Sequence, residues 1–256
     1  MSEHVLVETR DAVVRVRLNR PDKKNALTLE MYAAMADALL AAADDPAVRV
    51  VLVAAEGDAF TAGNDLGDFL QRPPTDESSP VLRFLNALIA SPKPVVAAVQ
   101  GLAVGVGTTL LLHCDLVYAG RGARFHLPFV GLGLVPEAGS SLLLPQRVGQ
   151  ARAAEMLLLG EPFGAEEGLA MGVVSAVFPD EELAARVEER VRRLAAQPPA
   201  AVRITRSLMR RADHAALPAH MHEESALFLE RLRSPEAREA MQAFMERRQP
   251  DFSRFS

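Results

Sequence analysis

Apolar and polar positions alternate over Val13–Leu18, where Val14, Val16 and Leu18 fall between Val13, Arg15 and Arg17, and this period of two predicts a strand. A second strand is expected just before it, over Val5–Thr9. After the polar turn Asn19-Arg20-Pro21-Asp22-Lys23-Lys24-Asn25 the period changes. Met31, Met35, Leu39 and Leu40 recur at helical spacing behind Thr28, whose hydroxyl suits an N-cap. Valine-rich runs at Arg49–Ala55 and Val95–Val99 predict buried strands, with a helix over Val81–Ala90 between them. Gln71–Pro80 contains Pro73-Pro74 and Ser78-Ser79-Pro80 and reads as a mobile loop. Strand and helix patterns alternate again as far as Val177, which predicts an α/β fold of parallel strands joined by crossover helices.

Beyond Pro179 the pattern becomes helical. Leu183, Val187, Val191 and Leu194 repeat every three or four residues, and Pro198-Pro199 interrupts before more helix. Ser234-Pro235-Glu236 combines a cap with proline in the first turn, a strong helix start. The chain therefore divides into an α/β region over 1–196 and a helical region over 197–256. Met221, Phe228, Met241, Phe244 and Met245 in that tail fit packing or subunit contacts better than a ligand site.

Composition narrows the function classes. The 256 residues suffice for a substantial core, and nearly half are apolar. A net charge of −5 provides no global basic field for nucleic acid or an anionic membrane. Cys114 is the only cysteine, so no internal disulfide forms, and its apolar neighbours predict an inert buried thiol. Met1-Ser2-Glu3-His4 does not read as a signal peptide, and no apolar run reaches the roughly 20 residues that span a bilayer, so cytoplasm is the expected compartment. His220 and His222 lie two apart, too far round a helix to chelate one ion, and read as surface residues; His113 and His126 read as structural. Gly105-Val106-Gly107 lacks the third glycine of a dinucleotide fingerprint, and Ser140-Ser141 lacks the glycine spacing of a nucleophile elbow. No metal site is expected.

Two glycine loops follow valine-rich strands: Phe60-Thr61-Ala62-Gly63-Asn64-Asp65-Leu66, and Gly101 through Thr109. Glycine permits conformations that turn main-chain N–H groups toward a common point, and two such donors make an oxyanion hole. Thr108–Cys114 suits a helix, whose first N–H groups would face that point. Taken alone, each loop is equally readable as a tight turn. Glu137 follows shortly, without an acidic neighbour. It reads as the group that moves a proton, or else as an exposed residue capping a helix after Pro136. Set among Phe129, Val130, Leu134 and Val135, its carboxyl is expected to have a raised pKa.

Several ordered motifs resemble the enoyl-CoA hydratase/isomerase superfamily, the crotonases. They are Asn19–Leu27, Ala62-Gly63-Asn64-Asp65-Leu66, Lys93–Gly101, Cys114-Asp115-Leu116-Val117-Tyr118-Ala119 and Gly160-Glu161-Pro162-Phe163. The resemblance covers essentially the whole chain. It implies a crotonase-like core of ββα spiral turns, a C-terminal helical trimerisation region and acyl-CoA thioester substrates. It also implies contacts with coenzyme A from Lys24, Asn25, Ala26 and Leu27, and from Ala62, Asp65 and Leu66 in the second loop. The oxyanion donors would be the N–H groups of Asn64 and Val106, the latter standing where many relatives have glycine. Asp65 also suits loop capping.

The hydratases of that superfamily carry two glutamates, and the matching positions here hold Thr109 and Phe129. Neither side chain can activate water as a carboxylate does. Glu137 matches instead the catalytic glutamate of the Δ3,Δ2-enoyl-CoA isomerases. The resemblance therefore implies an isomerase that needs no cofactor beyond its thioester substrate and assembles as a trimer or a dimer of trimers. Hydration, a related lyase reaction, or non-catalytic binding of acyl-CoA or RNA are the competing readings, the acidic charge opposing the last.

Overall fold

The alternation at Val13–Leu18 builds a strand buried on both sides: Val14, Val16 and Leu18 join one apolar core and Val13 another. The computed structural model describes residues 2–65, 67–68, 72 and 79–255, with main chain only at 212–215. Strand β1 (Val5–Arg10) pairs antiparallel with β2 (Val13–Leu18). Parallel strands β3 (Val50–Ala55), β4 (Val95–Val99), β6 (Leu116–Gly120) and β9 (Ala176–Phe178) then complete a six-stranded sheet in the order β1-β2-β3-β4-β6-β9. Strands β5 (Leu102–Val104), β7 (Arg124–His126) and β8 (Phe163–Gly164) form a smaller sheet beside it.

Helices α1 (Leu29–Asp44) and α2 (Pro80–Ala90) pack together over one face of the large sheet. Thr28 caps α1, its hydroxyl accepting the Met31 N–H at 3.3 Å. Met31, Tyr32, Met35 and Leu39 are buried, each contributing about 1.5–3 kcal/mol, so packing rather than helix propensity holds α1 in place. Leu40, expected on the same stripe, is 42% exposed, because the sheet-facing arc instead takes Tyr32 and Ala36. The expected loop over Gln71–Pro80 lies almost wholly outside the described residues. Ser79 caps α2, which starts one residue before Val81, at Pro80.

The run expected to be a helix over Thr108–Cys114 is different. A single α turn, α3 (Val106–Thr109), passes into a 3-10 turn at Leu110–His113. Helices α4 (Ser140–Val148), α5 (Gln150–Ala154) and α6 (Ala165–Ala170) follow, and α7 (Leu183–Ala195) covers the second face of the large sheet with Leu183, Val187 and Val191.

The tail is helical, as its periodicity predicts: α8 (Pro199–Met209), α9 (Arg211–Leu232) and α10 (Pro235–Glu246). Ser234 caps α10 through the Ala237 N–H at 3.1 Å. Arg206 and Arg210 of this tail meet Asp115 at 2.8 and 3.0 Å, while Asp115 also accepts the Val95 N–H. Met221, Phe228 and Met241 are buried, whereas Phe244 and Met245 are 63% and 72% exposed. Among the described residues no helix is long and apolar enough to cross a membrane.

Candidate active site

The two glycine loops are zipped together by the main chain. Thr61 N–H donates to Leu102 O at 2.9 Å, and Val104 N–H donates to Thr61 O at 3.0 Å. The approach is too close for side chains. A Cβ on Gly63 would lie 2.9 Å from Val104 O, and one on Gly107 would lie 2.4 Å from Thr61 Cγ2. Gly63 has φ +90°, which further favours glycine. Asn64 and Val106 sit at the tips of these joined segments, and neither main-chain N–H has an acceptor among the described residues. Val106 is buried, and its N–H belongs to the first turn of α3, where no partner exists within the helix.

Asn64 is fixed from α1. The buried Tyr32 hydroxyl donates to Asn64 Oδ1 at 2.6 Å, leaving the Asn64 main chain to face the site. Burial raises the Tyr32 pKa well above 10, and the nearby Glu137 charge adds to the rise, so this phenol remains a donor.

Glu137 reaches back to the α3 turn. Thr109 Oγ1 lies 3.4 Å from Glu137 Oε1 and 3.4 Å from Val106 O, so its single hydroxyl proton serves one or the other. The reading of Glu137 as a helix cap is excluded by geometry. Helix α4 begins at Ser140, and it is the main-chain oxygen of Glu137, not its carboxyl, that accepts from Ser140. Glu137 as a residue is half-buried, and its carboxyl is largely stripped of water by the surrounding protein. Burial raises its pKa from 4.5 to about 7, the Glu224 carboxylate adds to the rise, and the Thr109 hydroxyl opposes it. A carboxyl poised near neutrality is suited to taking and returning a proton. Phe129 is buried and gives the site no second carboxylate.

A narrow, mostly apolar cavity opens beside Glu137, walled by Val81, Leu82 and Leu85 of α2 and by Phe228 and Leu229 of α9. A roomier groove of about 1010 Å³ lies elsewhere, between the large sheet and α7. Ion pairs Arg15–Glu188 and Arg17–Glu56 occupy its walls, and Asn64, Val106 and Glu137 do not line it. Of these three residues, Glu137 alone lines the smaller cavity.

The remaining expected residues divide. Leu27 joins the Asn19–Leu27 segment to the first glycine loop, its N–H donating to Gly63 O and its oxygen accepting the Asp65 N–H, while Lys24 O accepts the Ala62 N–H. Lys24 is exposed and Ala26 and Ala62 are half-buried, so these three are reachable from outside. Asn25 is not. Fully buried, it accepts Arg20 N–H and donates to Glu56 O and Ala59 O, so its side chain braces the loop instead of facing a ligand. Asp65 pairs with Arg20 at 2.6 Å and accepts the Asp68 N–H. Burial alone would raise the Asp65 pKa, but the Arg20 and main-chain hydrogen bonds outweigh it and hold it low. Asp65 therefore caps and braces its loop. Leu66 lies outside the described residues.

The whole chain can now be compared with known proteins. The family model described as enoyl-CoA hydratase/isomerase matches residues 8–254. The chain belongs to the enoyl-CoA hydratase/isomerase family. It is 39% identical over 253 residues to rat enoyl-CoA delta isomerase 2, covering 96% of this chain and 64% of that protein's length. The 1,2-epoxyphenylacetyl-CoA isomerase of Escherichia coli K12 is 35% identical over 260 residues, covering 99% of both. A solved enoyl-CoA hydratase/isomerase structure from Pseudoalteromonas atlantica T6c superposes with a TM-score of 0.93 at 44% identity, covering 98% of this chain and 100% of that one. The crotonase fold is thereby established.

Within this crotonase fold, three contacts had no sequence signal. His220 is not a free surface residue: its Nε2 lies 2.7 Å from Ser141 Oγ. Glu224 is buried against the start of α4. His113 holds Ala138 O at 2.7 Å through Nε2, and burial lowers its pKa to about 4, so it is a neutral structural histidine. Cys114 is inert as expected, its thiol pushed up to about 12 by burial.

Proposed function

We propose that the protein is a Δ3,Δ2-enoyl-CoA isomerase acting on 3-enoyl-CoA thioesters. The observation that carries this reading is the Glu137 carboxyl, with a pKa near 7 and directed at Thr109 of the turn that presents the Val106 N–H, while Thr109 and Phe129 supply no carboxylate of their own. The thioester oxygen accepts hydrogen bonds from the Asn64 and Val106 N–H groups. Glu137 takes a proton from C2, and the C–H electron pair enters the thioester as a dienolate whose charge rests on the held oxygen. The protonated Glu137 then delivers the proton to C4, the double bond settles between C2 and C3, and the base is regenerated. The apolar walls of α2 and α9 suit an acyl chain, and the exposed Lys24 loop suits the polar coenzyme A.

Hydration needs one group to activate water and another to protonate carbon, and a single carboxyl beside Thr109 serves this poorly. Isomerisation of 3-hexenoyl-CoA is expected to exceed hydration of crotonyl-CoA by orders of magnitude. Glu137→Gln, which keeps the shape and removes the base, is expected to lower isomerisation by at least the roughly 100-fold typical of general acid–base catalysis. Faster hydration than isomerisation in the wild type, or full isomerase activity in the variant, overturns the assignment.

A further inference from the structure

We propose that Glu224 is a positioning residue for Glu137: from the distant helix α9 it clamps the turn that presents the base and places a like charge behind it. This rests on the isomerase reading above, and it assigns work to a residue outside the reacting groups.

Between Glu137 and α4 the chain makes two left-handed steps, Ala138 at φ 59° and Gly139 at φ 70°. A non-glycine residue such as Ala138 adopts this conformation only where the surroundings hold it. His113 grips the Ala138 carbonyl from one side. Glu224 grips the other. Its Oε2 accepts the Gly139 N–H at 2.5 Å, and its Oε1 accepts the Ser141 N–H at 2.9 Å and the Ser141 hydroxyl at 2.5 Å. These main-chain donors open α4, whose N-cap, Gly139, has no side chain to satisfy them. A carboxylate from another helix does so instead, favoured by the charge at the helix start. Leu217 and Met221 of the same helix close over Gly139, where a Cβ would lie 2.3 Å from Leu217 Cδ1. The sharp turn that results directs the Glu137 side chain back to Thr109.

The groups facing this turn are Tyr32 from α1, Thr109 from α3, His113 from the 3-10 turn, and His220 and Glu224 from α9. Tyr32 and His113 are neutral, for the reasons given above. After burial, the Glu224 charge is the main cause of the raised Glu137 pKa. His220 Nε2 lies 3.5 Å from Glu224 Oε1. Ser141, His220 and Glu224 do not constitute a hydrolytic triad. Serine and carboxylate both meet Nε2, whereas a triad needs the carboxylate on the opposite ring nitrogen.

Glu224→Gln retains length and one acceptor but removes the charge. Glutamate-labelled protein, with the Glu137 carbon resonance assigned by its loss in Glu137→Gln, reports the base directly and without substrate. In folded Glu224→Gln protein, Glu137 is expected to titrate lower by roughly half a unit to one unit, the scale of losing a nearby like charge. The acid limb of kcat/KM for 3-hexenoyl-CoA is expected to move down with it, because a less repelled carboxylate stays deprotonated to lower pH. The kcat is expected to fall roughly tenfold through loss of alignment, with KM little changed. Glu224→Ala is expected to shift the titration equally and to lower kcat further. A Glu137 resonance that titrates as in the wild type in either folded variant overturns the proposal, whatever the activity. A wild type with no isomerase activity whose Glu137 still shifts in Glu224→Gln overturns the isomerase reading and leaves the coupling standing.

Discussion

At the scale of single residues, Glu137 is held in a setting that favours chemistry over stability. Its carboxyl binds a proton more tightly in the folded chain than in the unfolded one, with a pKa raised from 4.5 to about 7. The native state therefore loses stability as pH climbs through that window. Glu137→Gln is expected to match the wild type near pH 4, where Glu137 is protonated in both the folded and the unfolded chain, and to be more stable by about 3 kcal/mol at pH 8. Thermal melts at the two pH values check this; an equal difference at both would contradict the raised pKa. His113 acts in the opposite sense, since its pKa is lowered to about 4 and acid costs stability from about 6.5 downward. The two contributions partly cancel between pH 4.5 and 6.5. The oxyanion loop offers a second test at this scale. Asn64→Ala keeps the N–H but removes the acceptor of the Tyr32 hydroxyl and is expected to lose far less activity than Asn64→Pro, which removes the donor itself and is expected to lose roughly 100- to 1000-fold. Coenzyme A binding measured beside turnover separates a lost donor from a collapsed loop.

Among elements, the decisive contact is the one between the glycine loops. Thr61 is fully buried and its hydroxyl donates to Asn25 O at 2.7 Å, so its rotamer is fixed and its Cγ2 cannot swing away from a new methyl at residue 107. Gly107→Ala is expected to cost about 1–3 kcal/mol of stability and to part the two donors. Adding Thr61→Ser removes Cγ2 but keeps the hydroxyl, and should restore both stability and turnover. Chemical denaturation and the isomerase assay on the single and double variants read this out; a double variant no better than Gly107→Ala would locate the damage elsewhere.

For the molecule as a whole, the helical tail supplies a wall of the cavity and the Glu224 clamp, so its attachment bears on activity. Asp115 is the anchor, meeting Arg206, Arg210 and the Val95 N–H together. Asp115→Asn leaves two arginines without their counter-charge and is expected to cost about 3 kcal/mol, with isomerase activity falling as the tail loosens. Ile204, Leu208, Met209, Phe244 and Met245 remain more than half exposed on this tail. They fit subunit contacts, and the wild type is expected to scatter light as a trimer or a dimer of trimers, with Asp115→Asn shifting toward smaller species. A wild-type monomer at micromolar concentration would refute the assembly.

The sequence by itself determined what local pattern can determine. A period of two marked β2, a period of three to four residues marked α1, Ser234-Pro235 marked the start of α10, and the ordered motifs together identified the family. Those features depend on neighbours along the chain. Tertiary structure decided what depends on distant partners. Asn25 read as a ligand contact because its loop does, yet a fully buried polar group needs hydrogen bonds, and Asn25 finds them within the protein. Thr109 read as a missing acid, and its hydroxyl lies within reach of both the Glu137 carboxyl and Val106 O. His220 and Glu224 showed only helical spacing in the tail; their meeting with the start of α4 arises because α9 folds back across the site, a fact of topology that no window of sequence contains.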